Sequence, residues 1–449
     1  MKNLKIFVIV TLSVFIGFFS AISIAENSLL KTNSKRGVNK KYSSDFLNEI
    51  VNKVKAEYVE EKTDTQLIEA AASGVLSSLD PHSSFLSEED LKEMTIHTKG
   101  EFGGIGIEIS SEMSVTKVVS AIEDTPAFKA GINSGDYIIR IDDISTQGLR
   151  IDEVVKKIRG KPNTAVKLTI YRKGETVPLE KTIVRKIIKI NPVKSNLFKD
   201  VAYIKINSFS ERTAEGVVRE FANIQKKLDK NISLKGLVLD LRNNPGGLLD
   251  QSAEVADLFL PKNAKIVSIK GRDKSKITEF IDDKPETLFT NLPIAVLINE
   301  GSASASEIVA GALQDNKRAV IMGNKSFGKG SVQSLITLSD HSSAIKLTTA
   351  LYYTPSGRSI QASGIEPDIE LESATTIEKS KQILPKDSEA DLKGHLEVEI
   401  NQNINKTAKK QDKKITDNNL EIYQKDYQLG RAIDLIRGVS LSKTIFNDS

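Results

Sequence analysis

From Asp45 to Leu79 the apolar positions Phe46, Ile50 and Val54, then Leu67, Ala71, Val75, Leu76 and Leu79, recur near helical spacing and predict two short amphipathic helices. They read as a packing or pairing element. Asp80-Pro81-His82-Ser83-Ser84-Phe85-Leu86 stops that periodicity and opens a turn. Over 100–181 the pattern changes to that of a small, mostly β domain. Gly103-Gly104-Ile105-Gly106-Ile107-Glu108-Ile109 leads into a strand, Val115 to Val119 alternates, and Asp136 to Ile141 makes another. Val166 to Ile170 and Val177 to Leu179 close a hairpin around Lys173-Gly174. Pro126 to Ala130, ended by Gly131, and Ile151 to Ile158, ended by Gly160, are its helices.

Between about 200 and 370 the strands become largely apolar: Val201 to Ile206, Leu234 to Leu241, the continuously apolar Pro293 to Ile298, and Ala319 to Met322. Helical segments alternate with them, over Thr213 to Leu228, through Ala253, Ala256 and Leu260, and over Ser304 to Leu313. That alternation predicts an α/β layer with active residues at strand ends. Beyond 375 the chain is polar and lysine-rich, above all from Asn401 to Asn419, and reads as a flexible linker. Leu420, Tyr423, Tyr427, Leu429, Ile433 and Ile436 then predict a last helical segment, which docks back on the body or pairs with another subunit.

At the other end, Lys2 and Lys5 precede an apolar run from Ile6 to Ile24, and Ser23-Ile24-Ala25 satisfies the small-residue rule for cleavage before Glu26. A bilayer needs about 20 apolar residues, so residues 1–25 read as a signal peptide or as a retained N-terminal membrane anchor. Either implies export, to the bacterial periplasm or the periplasmic face of the inner membrane. Removing the segment takes away Lys2 and Lys5 and lowers the net charge from +4 to +2, which gives no reason to expect nucleic-acid binding. Zero cysteines exclude disulfides and thiol catalysis in either compartment. The 449 residues leave room for two or three domains.

The candidate chemistry lies in Gly301-Ser302-Ala303-Ser304-Ala305-Ser306-Glu307 and in Lys329, which follows Ser304 by 25 residues within Ser326-Phe327-Gly328-Lys329-Gly330. Together they offer a hydroxyl nucleophile and an amine base. Ser304 stands at a helix start, where the Ala305 N–H faces a carbonyl oxygen turning negative. Gly246 and Gly247, in a glycine turn at another strand end, are a second source of backbone donors. An exposed lysine has a pKa of about 10.4, so Lys329 needs an apolar setting to act as a base near neutrality. Gln333 can orient its amine by accepting a hydrogen bond without favouring the charged form. The four histidines, His82, His97, His341 and His395, lie outside this cluster, which argues against a Ser-His-Asp hydrolase.

The 100–181 region resembles a PDZ domain, with Gly104, Ile105, Gly106 and Ile107 in place of the loop that binds a terminal carboxylate. The Ser304 and Lys329 blocks resemble the signatures of the carboxyl-terminal processing proteases, the tail-specific serine peptidases of family S41. Asn244-Pro245-Gly246-Gly247-Leu248, Asp80 to Leu86, Tyr353-Thr354-Pro355-Ser356-Gly357-Arg358 and Gly364-Ile365-Glu366-Pro367-Asp368-Ile369 are similar to that family's further blocks, in its order.

The resemblance implies a multidomain α/β serine protease core, ClpP/crotonase-like, with an inserted PDZ domain and helical N- and C-terminal segments. It implies Ser304 as nucleophile, Lys329 as general base, Gln333 as its partner, and an oxyanion hole from Ala305 with Gly246 or Gly247. Substrates are proteins or peptides with free C-termini, cut after small or apolar residues. Arg159 resembles a residue that senses the state of the PDZ domain by contacting the protease core. Some family members pair as homodimers through their terminal helices, and no metal or cofactor is implied. The domain reading is 1–25 signal or anchor, 42–95 helical region, 98–182 PDZ domain, 183–375 protease core, and 376–449 polar linker with a helical segment. The competing readings are a noncatalytic PDZ-containing scaffold or chaperone and a latent protease awaiting a carboxylate-bearing peptide.

Overall fold

A computed structural model describes residues 44–112, 115–273, 275–282, 289, 292–372 and 425–447. The segment read as a signal or anchor and residues 376–424 of the polar linker lie outside them. The chain falls into two compact units divided after Phe85. In the first, the expected helices are α1 (Ser44–Glu57) and α2 (Asp64–Ser77). Thr63 caps α2: its hydroxyl oxygen accepts from the Gln66 N–H at 3.2 Å while the Gln66 amide oxygen accepts from the Thr63 N–H at 3.1 Å. The turn that follows is closed by Asp80, whose carboxylate accepts from the His82 and Ser83 N–H groups at 2.8 and 2.9 Å. Strand β1 (Ser84–Leu86) comes next.

The second unit opens on α3 (Glu88–Lys99) and continues through β2 (Glu101–Gly104), β3 (Ile107–Glu112), β4 (Val115–Ala121), α4 (Pro126–Lys129), β5 (Tyr137–Ile141) and β6 (Ile144–Ser145). Then come α5 (Ile151–Ile158), β7 (Ala165–Tyr171), β8 (Leu179–Val184) and β9 (Lys186–Lys189). Strands β3-β4-β5-β7-β8 form an antiparallel sheet in that order, with β6 beside β5. Its core includes Ile105, Val118, Ile138, Val154, Val166, Leu168 and Ile170. Strands β2 and β9 pair outside this sheet as a two-stranded neck through which the small domain is inserted. Strand β3 is the edge of its sheet.

The larger part contains β10 (Val193–Phe198), β11 (Val201–Ile206), α6 (Thr213–Lys227), β12 (Gly236–Asp240), α7 (Leu249–Asp257), β13 (Lys265–Gly271) and β14 (Ile277–Ile281). It continues with β15 (Ile294–Ile298), α8 (Ala305–Asp315), β16 (Val320–Gly323), β17 (Ser331–Thr337), β18 (Ala344–Tyr353), β19 (Ile369–Glu370) and α9 (Tyr427–Asn447). A six-stranded sheet runs β10-β11-β12-β15-β16-β19, parallel except at β10. A second, antiparallel sheet pairs β17 with β18, β18 with β13 and β13 with β14.

Alternation along the central strands divides their side chains between two cores. Ile204, Ile206, Leu237, Leu239, Val296 and Ile298 face α6, α7 and α8, whereas Val201, Val238, Ala295, Leu297 and Met322 face α9 through its Leu429, Ala432, Ile433 and Ile436. This double cover explains why the strands read as largely apolar runs. It also shows that the C-terminal helix docks back on its own body.

The expectation of a ClpP/crotonase-like core is corrected here. The core is one open sheet carrying helices on both faces, accompanied by the separate β17-β18-β13-β14 sheet and interrupted at its entry by the inserted domain. Continuous apolar strands report only that both faces are covered, not by what. The second cover is a helix that follows the last strand by more than fifty residues of chain.

Candidate active site

Strand β15 ends at Ile298, and residues 299–303 turn the chain into α8 through Ser304. Ser304 has φ 56° and ψ −114°, a backbone state that a residue with a Cβ adopts only when its surroundings impose it. Those surroundings are hydrogen bonds to the turn after β12. The Ser302 hydroxyl donates to the Leu241 carbonyl at 2.8 Å, the Ala303 N–H to the Asn244 carbonyl at 3.0 Å, and the Ser306 hydroxyl to that same Asn244 carbonyl at 2.9 Å.

The two turns press together. A Cβ built on Gly246, which has φ +100°, would stand 2.7 Å from the Ala303 oxygen, 2.8 Å from the Ser304 Cβ and 3.0 Å from the Ala305 nitrogen. Only glycine fits there. The Gly246 N–H is engaged by the Asn244 side-chain oxygen at 2.9 Å. Gly247 lies against Phe209 in an isolated parallel bridge, flanked by bonds from Phe209 N–H to the Gly246 carbonyl and from Leu248 N–H to the Phe209 carbonyl.

Lys329 arrives from the opposite side, in the loop between β16 and β17. Phe327 N–H donates to the Ser302 carbonyl at 3.0 Å, which ties this loop to the serine turn. The stronger tie is Glu307, whose carboxylate sits fully buried in the first turn of α8. It accepts from the Ser304 N–H at 2.7 Å, the Ser326 hydroxyl at 2.6 Å, the Gly328 N–H at 2.7 Å and the Lys329 N–H at 2.9 Å. One oxygen, Oε2, holds the backbones of Ser304 and Lys329 together. Burial pushes the Glu307 carboxyl above its ordinary value, and the four donors oppose that rise. The buried Tyr352 hydroxyl donates to the Lys329 carbonyl, and desolvation holds this phenol well above its ordinary value.

Gln333 lies on β17, and its amide nitrogen donates to the hydroxyls of Ser331 at 2.9 Å and Thr348 at 3.2 Å. The stretch after Lys329 enters strand β17, with a bulge between Val332 and Gln333. His341 occupies the turn between β17 and β18. Neither Glu307 nor Asn244 was singled out from the sequence. For Glu307 a signal existed, since an acidic residue three positions after a helix-starting serine is a capping pattern.

In the small domain, Gly104 ends β2, Ile105 is buried in the core, and Gly106 has φ +83° with its Cβ position 2.4 Å from Thr125. Ile107 then begins β3. The glycine turn therefore feeds straight into an edge strand, with α5 packed beside β3. Arg159, at the C-terminus of α5, binds Glu93 of α3 at 2.8 and 3.1 Å and lies 4.6 Å from the Phe102 ring centroid in the neck. Its bonded partners are on α3 and in the neck, and it lines one groove with His341 and Ser342 of the β17–β18 turn.

An α/β core with a serine at a constrained strand-to-helix turn, carrying a small β domain with an open edge strand, defines a peptide-handling hydrolase class. Comparison with known proteins makes this specific. The model of the PDZ domain matches residues 103–183, and that of peptidase family S41 matches residues 200–371. A carboxy-terminal-processing protease of Bartonella bacilliformis is 47% identical over 379 residues, 84% of this chain and 86% of that protein. The carboxy-terminal processing protease CtpA of Bacillus subtilis is 34% identical over 375 residues, 83% and 78% of the two chains. The solved photosystem II D1 C-terminal processing protease covers 77% of this chain and 92% of its own, at 27% identity and a TM-score of 0.42.

The chain belongs to peptidase family S41, the carboxy-terminal processing serine proteases. It is an enzyme, a serine endopeptidase with a PDZ substrate-binding domain, and the noncatalytic scaffold reading falls. An S41 core with a PDZ insert, built on the open six-stranded sheet, replaces the ClpP/crotonase-like expectation. Among the described residues no helix is long and apolar enough to cross a membrane.

Proposed function

We propose that Ser304 attacks the scissile carbonyl inside a protein's C-terminal tail, with Lys329 as the general base and Gln333 orienting the lysine amine. The Ser304 hydroxyl gives its proton to the amine as the Oγ–C bond forms, and the same proton goes to the departing amide nitrogen as the acyl-enzyme appears. Water then attacks the ester, with Lys329 again taking and returning the proton. The developing oxyanion is met by the Ala305 N–H at the start of α8 and by an N–H of the Gly246-Gly247 turn. Because the Gly246 N–H is engaged by Asn244, Gly247 is the donor of choice. The observation that carries this reading is the single Glu307 oxygen that holds the backbones of Ser304 and Lys329.

The tail's terminal carboxylate is bound at Gly104, Ile105, Gly106 and Ile107, and the segment above it adds to the free edge of β3. Arg159 reports the PDZ state through Glu93 and Phe102. Residues 1–25 send the enzyme out of the cytoplasm, to the periplasm or to the periplasmic face of the inner membrane if they are retained. Association as a homodimer belongs to the same reading.

The test incubates purified wild-type, Ser304→Ala and Lys329→Ala proteins with an unstructured polypeptide bearing an apolar tail. Tail shortening should vanish in both variants, and a fluorophosphonate should label the wild type but not Ser304→Ala. Equal cleavage by Ser304→Ala would remove that serine from the chemistry.

A further inference from the structure

The C-terminal segment makes a polar contact that its role as a sheet cover does not require. Arg242 lies two residues past β12 and four before Gly246. Its guanidinium donates to both oxygens of Asp240, at 3.0 and 2.7 Å, and to both oxygens of Asp426, at 2.9 and 2.7 Å. Asp240 is fully buried and also accepts from the Tyr203 hydroxyl at 2.8 Å. Asp426 in turn accepts from the Leu429 N–H at 3.0 Å, so it caps α9 while it grips Arg242.

Gln428 extends the contact. Its amide oxygen accepts from Arg242 at 3.0 Å, and its amide nitrogen donates to the Asn324 side-chain oxygen at 2.9 Å and to the Leu371 carbonyl at 2.8 Å. Asn324 follows β16 directly, donates its own N–H to Ile298 at the end of β15 at 3.1 Å, and precedes Lys329 by five residues. Strands β12, β15 and β16 are neighbours in the sheet, so this latch spans the ends of all three. Those ends release the Gly246-Gly247 turn, the Ser304 turn and the Lys329 loop.

We infer that Asp426 and Gln428 are positioning residues for the active centre: the C-terminal segment latches the β12 and β16 ends so that the oxyanion turn and the lysine loop keep their spacing about Ser304. The inference rests on the proposed roles of Ser304, Lys329 and the glycine turn. Neither latch residue touches substrate. Their effect travels through Arg242 and Asn324, and displacements of about 1 Å at such a remove can cost on the order of 100-fold in rate. An arginine fork bound to two carboxylates is suited to this, because its planar geometry fixes direction as well as distance.

The experiment uses the full chain and compares wild type with Asp426→Asn, Asp426→Glu, Gln428→Ala, Ser304→Ala and, as a control on the outer face of the same helix, Arg431→Ala. We expect Asp426→Asn and Gln428→Ala to lower kcat by roughly 10-fold or more with KM within about twofold, and to slow fluorophosphonate labelling to the same extent. Asp426→Glu should recover part of the rate, and Arg431→Ala should match wild type. Thermal unfolding separates a shifted centre from a lost fold: activity must fall at temperatures where each variant remains folded. Wild-type kcat in both Asp426→Asn and Gln428→Ala, with Ser304→Ala inactive, would overturn the latch alone. Full activity of Ser304→Ala would overturn the underlying reading and the latch with it.

Discussion

Glu307 is the residue on which the local architecture of the site converges. A buried carboxylate is costly unless its lone pairs are met, and here four donors from two segments, the serine turn and the lysine loop, meet them. Removing it strands those donors, each at about 1–3 kcal/mol when left buried and unpaired. Glu307→Ala should therefore lose about 3 kcal/mol or more in chemical denaturation and lose fluorophosphonate labelling with it. An Ala variant as stable as wild type would contradict the assigned network. Gly246 acts through space rather than through bonds. With a Cβ only 2.8 Å from the Ser304 Cβ and φ at +100°, Gly246→Ala must push the two turns apart, so we expect activity to fall at least about 10-fold, read as kcat/KM.

The elements show where pattern reading reaches and where it stops. Ile294–Ile298 was legible as a strand because its apolar run is continuous, and Ile151–Ile158 as a helix because a glycine closes it two residues on. The β17-β18-β13-β14 sheet was not recognised, since several of its strands are half-exposed and its two local hairpins are joined by a β13-β18 pairing between segments far apart in sequence. Helix α9 was expected, but its spacing left docking and pairing between subunits equally open. Its Ile436 lies against Gly236 on the sheet, where a Cβ on that glycine would come within 2.6 Å of the isoleucine. Ile436→Ala should cost about 2–5 kcal/mol, measured by thermal or urea unfolding.

The pH behaviour of α9 belongs at this scale too. Burial works against the charge on Asp426, but its bonds to Arg242 prevail and hold its carboxyl below the ordinary 3.8. A carboxyl depressed by folding contributes stability above its unfolded value and loses it as pH falls through the folded one. Amide exchange in α9 should thus show undiminished anchoring from pH 7 down to about 5, with protection failing only below about 3.8. Failure already near pH 6 would point to a different anchor.

At the scale of the molecule, substrate recognition and bond cleavage are assigned to different parts of one chain, joined by the β2–β9 neck. Glu211 N–H donates to Thr98, just before that neck, at 3.0 Å, and the adjoining Phe209 pairs with the Gly246-Gly247 turn. The neck and the Gly246-Gly247 turn are therefore neighbours through one short segment. Separate sites predict separable kinetics. Amidating the C-terminus of a tail substrate should raise KM about 10-fold or more, while labelling of Ser304 by a small fluorophosphonate stays unchanged. An unaltered KM would remove the carboxylate from recognition.

By itself the sequence determined the local matters: which stretches form helices and strands, that a glycine turn precedes an extended edge, and that the hydroxyl and the amine stand in recognisable blocks. These follow from periodicity and from residue types whose backbone preferences act over a few positions. The tertiary structure alone decided what covers the second face of the sheet, that Glu307 ties Ser304 to Lys329, and that Asp426 reaches Arg242 across 184 positions. Such contacts are set by how strands are ordered in the sheet, and spacing along the chain carries no record of distance through space.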